Sequence, residues 1–318
     1  MIDVHHHILP QRYVDAVGAG PIGSQGSSGR VPAWSVEAAL EGMDAAGIAV
    51  AITSISAPGF GVLAGQPAAA LARWCNEFAA RLGQDHSARF GMFTALPLPD
   101  LDASLQEAAY AFDQLHSDGV CLLSNYGGRY LGAPEFDALY QELDRRHAVV
   151  FVHPTSTAGM HLVGGLSAST LEFPFDTTRA VADLIFARVP ARFPNIRWIL
   201  SHAGGAIPYL SGRVEVLTTN NPKLREAIPD GFQAELRKFY FDCALSYNAT
   251  TMDALRQEVG STQLLFGSDY PFGPRGQMAG TAAGVAALPW SEDEKQRVRT
   301  ANAAALFPRW RGLASGND

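Results

Sequence analysis

The chain has 318 residues, of which 47% are hydrophobic and 17% charged, and a formal net charge of −7. This composition predicts a large buried core and excludes a disordered chain, while the acidic balance argues against nucleic acid or an anionic membrane surface as a partner. With no signal peptide, no long apolar run and only three widely separated cysteines, we expect a cytoplasmic protein without a disulfide framework.

Eight short apolar runs recur along the chain, and a helical pattern follows each of them. The runs begin at Ile2, Ile48, Arg89, Gly119, Ala148, Ile196, Lys238 and Gln263. Continuous apolar runs are typical of parallel strands that helices cover on both faces. We therefore predict a single α/β domain over residues 1–318 that forms a (β/α)8 TIM barrel, with a large doubly wound sheet as the alternative. The Gly/Ser-rich stretch 18–29 is predicted to be a small loop insertion after strand one.

Several predicted helices carry recognisable end signals. Ser35 is suited to cap the helix that stops at Gly47. Pro67 and Pro134 each suit the first turn of a helix. Asp176 is predicted to be the N-cap of the helix that follows it.

Polar side chains occupy the C-terminal ends of four predicted strands that are otherwise almost wholly apolar. They are His5, His7, His153, His202 and Asp269. In a parallel barrel these strand ends meet at one face, where active sites form. Burial of such groups is costly unless they are hydrogen-bonded or bind a metal. We therefore expect them to form one site.

The three consecutive histidines of the first strand differ in direction. His5 and His7 are two residues apart and project to the same side, whereas His6 projects to the other. With His153 and Asp269 they provide three nitrogen donors and one oxygen donor, which suit one divalent ion, Zn²⁺ first and Mn²⁺ or Fe²⁺ as alternatives. Each residue alone has an ordinary structural explanation, but their joint placement predicts a metal site.

Four stretches of the chain form a specific joint pattern: IDVHHHILP, FVHPT, RFPNIRWILSHAGGAIPYLSGRVE and LLFGSDYPF. Together they resemble the amidohydrolase superfamily, specifically its decarboxylase branch, and the resemblance spans nearly the whole chain. That branch is typified by the 2-amino-3-carboxymuconate-6-semialdehyde decarboxylase and γ-resorcylate decarboxylase family. The segment from Gly119 to Thr155 is most similar to the 6-methylsalicylate decarboxylase-like members.

The resemblance assigns roles to the strand-end residues. It implies that His5, His7, His153 and Asp269 are metal ligands, and that His202 is a catalytic histidine beside the metal. The fourth strand, GVCLLSNY, has no lysine for the carbamate that bridges two metals in many hydrolases of the superfamily, which favours a single ion.

Two arginines match substrate-binding positions of the semialdehyde decarboxylase. Arg213 matches an arginine that reaches into the neighbouring subunit's site in that enzyme, which implies a homodimer or a dimer of dimers. Arg30 matches its second substrate-binding arginine across a variable loop. A surface ion pair is the alternative role for either residue.

The loops after the strands supply further candidates for substrate contact. Phe173 and Phe175 are suited to stack on a planar substrate, with packing at the barrel rim as the alternative. Asn125 and Tyr126 follow the fourth strand, and His161 lies in the long loop after the fifth strand, within reach of a substrate.

The preferred function is non-oxidative, metal-dependent decarboxylation of a small aromatic or unsaturated carboxylic acid, of the salicylate type, with release of CO₂. Asp269 is the candidate general acid, and the candidate roles of His202 are to orient Asp269 or to activate a metal-bound water. The same metal ligands would serve a hydrolase of a lactone, ester or amide, or a hydratase of an unsaturated diacid. A barrel that binds a small ligand without catalysis is the alternative from another class.

Overall fold

The core of the fold is an eight-stranded parallel sheet, seen in a computed structural model that describes residues 1–157, 159 and 162–313. Its strands, in spatial order, are β1 Ile2–His7, β2 Val50–Ser54, β3 Phe90–Ala95, β4 Gly119–Leu123, β7 Val149–His153, β8 Arg197–Leu200, β9 Phe239–Asp242 and β10 Leu264–Leu265. A separate antiparallel hairpin consists of β5 Asn125–Tyr126 and β6 Arg129–Tyr130. His161 lies outside the described residues.

Backbone hydrogen bonds between the first strand and the last segment close the sheet into a barrel. The N–H of Val4 donates to the carbonyl of Phe266 at 3.0 Å, and the N–H of Asp269 donates to the carbonyl of His5 at 2.8 Å. A parallel bridge between His6 and Tyr270 continues this contact. The predicted (β/α)8 barrel is therefore confirmed, and the doubly wound alternative is not observed.

Helices surround the barrel. They are α1 Gln11–Val17, α2 Ala19–Gly23, α3 Val36–Ala46, α4 Gly65–Asp85, α5 Leu101–Asp113, α6 Asp137–Arg145, α7 Glu172–Phe186, α8 Val189–Arg192, α9 Ile207–Thr219, α10 Pro222–Ala227, α11 Phe232–Leu236, α12 Ala249–Val259, α13 Gln277–Ala287, α14 Glu292–Gln296 and α15 Asn302–Leu306. In the described part of the chain, none of them combines the length and the apolar character that crossing a membrane requires.

Two clusters of buried apolar side chains hold the layers together. The larger lies between the sheet and the helices. The smaller fills the barrel with residues such as Ile2, Val4, Phe93, Phe151 and Ile199. Apart from the irregular first strand, alternate strand residues thus point to one cluster or the other, which explains why the strands read as continuous apolar runs.

The helix-end predictions have mixed outcomes. The Ser35 hydroxyl accepts the N–H of Ala38 at 3.1 Å, and Gly47 ends the helix in the left-handed region at φ 70°. The prediction that Asp176 is an N-cap is wrong, because α7 begins at Glu172 and Asp176 lies inside it. The stretch 18–29 is not wholly a loop, since α2 occupies part of it.

Candidate metal centre

A β-bulge in β1 sets the direction of the histidines. Between Asp3 and His6 the pairing of β1 with β2 shifts by one residue. Val4 and His5 therefore both face the barrel interior, where the His5 ring lies 5.0 Å from the ring of Phe151. Asp3 and His6 face the helical layer, and His6 Nδ1 lies 3.1 Å from Asp3 Oδ2. This outward direction of His6 agrees with the prediction from strand alternation.

Four side chains converge at the C-terminal ends of the strands. The potential ligand atoms of His5, His7, His153 and Asp269 all lie within 4.8 Å of one another. The Nε2 atoms of His5 and His7 are 3.0 Å apart, and they lie 3.2 Å and 3.3 Å from Asp269 Oδ1. Ligands that bind one tetrahedral ion at about 2.0–2.2 Å are separated by roughly 3.3–3.6 Å. The cluster therefore has dimensions close to those of a single-ion site.

Each of the three histidines is held through Nδ1 by another group of the protein. The partners are Asp242 Oδ2 for His5 at 2.7 Å, Ser54 Oγ for His7 at 2.9 Å, and the Pro154 carbonyl for His153 at 2.7 Å. Such contacts fix the ring orientation of metal-binding histidines and leave Nε2 free for the ion. The donor set of three imidazoles and one carboxylate fits Zn²⁺, Mn²⁺ or Fe²⁺.

Asp242, at the end of β9, is a residue of this site that sequence reasoning misses. Its side chain is fully buried. One carboxylate oxygen accepts from His5, and the other accepts the backbone N–H groups of His202 and Ala244, both at 2.9 Å. The available signal was an acidic residue at the end of the apolar strand FYFD, the same kind of signal that identified the histidines.

The electrostatics of the cluster favour a cation. Burial disfavours charge on Asp269, but His5 and His202 outweigh it and hold the pKa of Asp269 well below its usual value. Burial lowers the pKa of His7 to about 4, and burial also holds the pKa of His153 well below its usual value. Burial also opposes charge on His5, but Asp242 and Asp269 outweigh it and raise the pKa of His5 to about 10. A metal ion would take the place of this His5 proton.

Asp269 and His202 form a pair at the edge of the cluster. Asp269 Oδ2 lies 3.6 Å from His202 Nε2, whereas Oδ1 faces His5 and His7. Both residues have left-handed backbones, with φ of 60° for Asp269 and 52° for His202. Residues other than glycine rarely adopt this backbone conformation, and it is enriched at functional sites. Asp269 thus presents one oxygen to the metal position and the other to His202.

A cavity of about 310 Å³ opens beside this pair. His153, His202 and Asp269 line it, so a ligand in the cavity reaches the cluster directly. Its apolar wall consists of Phe173, Pro174, Leu245, Phe272 and Pro274.

Polar side chains also line the cavity, namely Gln25, Ser27, Ser56, Ser169, Thr170 and Ser246. No arginine or lysine is found among the described residues that line the cavity. Its volume lies at the small end of ligand pockets.

The predicted aromatic residues and arginines have different positions. The Phe173 ring lies 6.2 Å from the His153 ring and lines the cavity. Phe175 is 38% exposed and does not line it. Arg213, on α9, and Arg30, in the loop after α2, are both exposed and outside the cavity of this chain. Their roles in substrate binding stay predictions.

Asn125 is buried and Tyr126 is half-buried, and both lie beside the barrel rather than in the cavity. The amide of Asn125 donates to Asp176 Oδ2 at 2.9 Å, and the Tyr126 hydroxyl accepts the N–H of Leu123 at 3.0 Å. Neither lines the cavity, so a direct contact with substrate stays a prediction for both.

Comparison with known proteins identifies a matching family and similar sequences. Residues 2–309 match the amidohydrolase family. The chain is 37% identical to the decarboxylase yanB of Aspergillus niger, over 97% of this chain and 88% of that one. It is 35% identical to a 6-methylsalicylic acid decarboxylase of Penicillium expansum, over 98% and 97% of the two chains.

A solved structure shows the same fold. It is that of a 5-carboxyvanillate decarboxylase from Novosphingobium aromaticivorans, in complex with manganese and 4-hydroxy-3-methoxy-5-nitrobenzoic acid. Its TM-score to this chain is 0.84, with 18% sequence identity, over 96% of this chain and 95% of that one.

Proposed function

The chain belongs to the amidohydrolase family, and we propose that it is a metal-dependent, non-oxidative decarboxylase of a small aromatic carboxylic acid of the salicylate type. The observation that carries this proposal is a single-ion cluster that opens into a small, largely apolar cavity. The names of the relatives, among them a 6-methylsalicylic acid decarboxylase, support the same reaction.

The reaction breaks the bond between the carboxylate and the ring, releases CO₂, and places a proton on the ring carbon. A divalent ion held by His5, His7, His153 and Asp269 supplies electrostatic stabilisation of the negative charge that develops. Asp269 delivers the proton through Oδ2, the oxygen that His202 orients. Because the pKa of Asp269 lies well below its usual value, its carboxylate must take up a proton before it can deliver one, and an ortho hydroxyl of the substrate would supply that proton.

The walls of the cavity hold and shield the ring. Phe173 offers an aromatic face, and Leu245 and Phe272 add apolar surface to the wall. Leu245 lines the cavity and has a left-handed backbone, with φ of 54°. The same metal ligands would serve hydrolysis of a lactone, ester or amide, so the test must distinguish the two reactions.

A panel of acids tests the substrate class. We expect CO₂ release from ortho-hydroxybenzoates with an apolar ring substituent, with kcat/KM at least about tenfold above that for matched acids with a second carboxylate, because an unpaired buried charge is unfavourable. Leu245→Arg places a cation in the wall and should reduce this difference. Hydrolysis of lactones without CO₂ from any acid would overturn the proposal.

We propose Zn²⁺ as the native ion because nitrogen-rich tetrahedral sites favour it, with Mn²⁺ as the alternative in view of the manganese in the related structure. A cytoplasmic location is also proposed, and the three free, buried thiols support a reducing environment. Metal analysis of the purified protein tests the first point.

We also propose that the protein is a homodimer, with a dimer of dimers as the alternative assembly. Helix α9 presents Arg213 beside exposed Tyr209, Val216 and Leu217, which are 88%, 67% and 61% exposed. Apolar side chains grouped on one helix are typical of an interface. Arg213 would then bind the substrate in the neighbouring subunit.

Complementation between two inactive variants tests this arrangement. A mixture of Arg213→Ala and His202→Ala proteins should regain part of the activity, because a mixed dimer has one site with both residues intact. Absence of rescue after confirmed subunit exchange would contradict the role of Arg213.

A further inference from the structure

Asp176 is a buried carboxylate that the proposed chemistry does not use. It lies inside α7 with no exposed surface. Three side chains donate to it: the Ser124 hydroxyl, the Asn125 amide at 2.9 Å and the Tyr130 hydroxyl at 2.6 Å. All three follow β4 on or beside the β5–β6 hairpin. Asp176 therefore fixes that hairpin to α7, a contact that a helix cap would not provide.

Ser124 extends this contact to a metal ligand. Its hydroxyl accepts the N–H of Thr155 at 3.1 Å, and its backbone N–H donates to the carbonyl of His153 at 2.8 Å. The segment that contains His153 is thus held on both sides by one residue, which Asp176 holds in turn. Because His153 Nδ1 bonds to the Pro154 carbonyl, the position of this backbone also sets the direction of the imidazole.

The same helix carries part of the cavity wall. Phe173 and Pro174, in the first turn of α7, line the cavity. Asp176 follows them by less than one helical turn, so its three hydrogen bonds also hold the turn of α7 that carries Phe173. One carboxylate thereby joins the metal-binding strand β7, the hairpin and the substrate wall.

We propose that Asp176 is a positioning residue: through Ser124 it directs His153 at the metal, and through α7 it holds Phe173 over the substrate. It touches neither metal nor substrate. Only the effect on Phe173 rests on the proposed function. The effect on His153 requires a metal ion and no particular reaction.

The test compares two carboxylate-to-amide variants of one helix. Asp176→Asn keeps the shape of the side chain but leaves it with one acceptor oxygen for three donors. Asp183→Asn is the matched control, because Asp183 Oδ2 accepts the N–H of Gly132 at 2.6 Å and has no contact with Ser124 or the β7 loop among the hydrogen bonds of the described residues. Both variants lose an acceptor on α7, but only the first loosens the His153 segment.

The decisive readout is Zn²⁺ affinity, measured by competition with a chromophoric chelator on folded protein. We expect Asp176→Asn to raise the Kd about 10- to 100-fold, as changes behind a metal ligand do, and Asp183→Asn to leave it unchanged. In turnover, Asp176→Asn should lower kcat more than it raises KM. Ser124→Ala should weaken Zn²⁺ binding in the same way, and the double variant should add little.

The outcomes separate this inference from the proposed reaction. Equal Zn²⁺ affinity in Asp176→Asn and wild-type protein, or an equal loss in both aspartate variants, would overturn the positioning role. If Asp176→Asn does not fold, Ser124→Ala decides, and normal Zn²⁺ binding in that variant would overturn it. A wild-type protein that binds Zn²⁺ without releasing CO₂ would contradict the proposed function and leave this measurement valid.

Discussion

Replacement of His5 or His7 by alanine is expected to abolish both metal binding and turnover, whereas replacement of His6 preserves both. His5 and His7 place their Nε2 atoms 3.0 Å apart on the inner side of the barrel, beside Asp269. Loss of either removes one of four donors. The metal affinity should fall by more than the roughly 10- to 100-fold that changes behind a ligand produce. Metal content after purification and decarboxylase activity are the measurements.

His6→Ala is the matched control, because it removes the same ring from the opposite face of the strand. His6 bonds to Asp3, and its ring lies 4.8 Å from the ring of Tyr270. We expect the free energy of unfolding to fall by about 1–3 kcal/mol, as loss of a buried hydrogen-bonding partner does, with the metal retained. Equal metal loss in all three variants would contradict the assignment of His5 and His7, but not His6, as metal ligands.

His202→Asn is expected to lower kcat by about 10²–10⁴-fold while the metal content stays unchanged. His202 lies outside the four-residue cluster but faces Asp269 Oδ2 and lines the cavity. A positioned acid–base group contributes about this factor. Asparagine is chosen because it tolerates the left-handed backbone at this residue, with φ of 52°, better than alanine.

Asp242→Asn is the comparison variant that separates a loss of metal binding from a loss of acid–base catalysis. Asp242 holds His5 Nδ1, so its replacement should weaken metal binding about 10- to 100-fold, in contrast to His202→Asn. Kinetics of metal-saturated variants together with metal titrations distinguish the two. Loss of metal from His202→Asn to the extent seen with His5→Ala would show that His202 is a ligand.

Much of the fold and the metal cluster was predictable because both depend on local patterns. The eight apolar runs correspond to the eight barrel strands. The alternation argument separates His5 and His7 from His6 because the bulge, between Asp3 and His6, leaves the alternation from His5 to His7 intact. The bulge itself could not be foreseen, since IDVHHH reads as a regular strand. It explains why Val4 and His5, although adjacent, both face inward.

Residues that act through distant partners were harder to predict. Asp242 contacts a histidine 237 positions away, and the sequence does not show which acidic residue will meet which ring. The sequence predicts a cap at Asp176, but α7 extends upstream through Pro174, which the first turn of a helix tolerates. The exposed position of Arg213 is compatible with a role in the neighbouring subunit. That role, the substrate-binding role of Arg30 and the single-domain assignment stay predictions.

Transfer of isotope from a labelled substrate tests metal-dependent decarboxylation most directly. The protein, loaded with Zn²⁺ or stripped with a chelator, is incubated in D₂O with an ortho-hydroxybenzoate that carries an apolar ring substituent and ¹³C in its carboxylate. We predict that the loaded protein releases one ¹³CO₂ per product and places one deuterium on the ring carbon that held the carboxylate, and that chelation abolishes both. Equal ¹³CO₂ release from the metal-free protein, or hydrolysis of a lactone by loaded protein that leaves every labelled acid intact, would contradict this account.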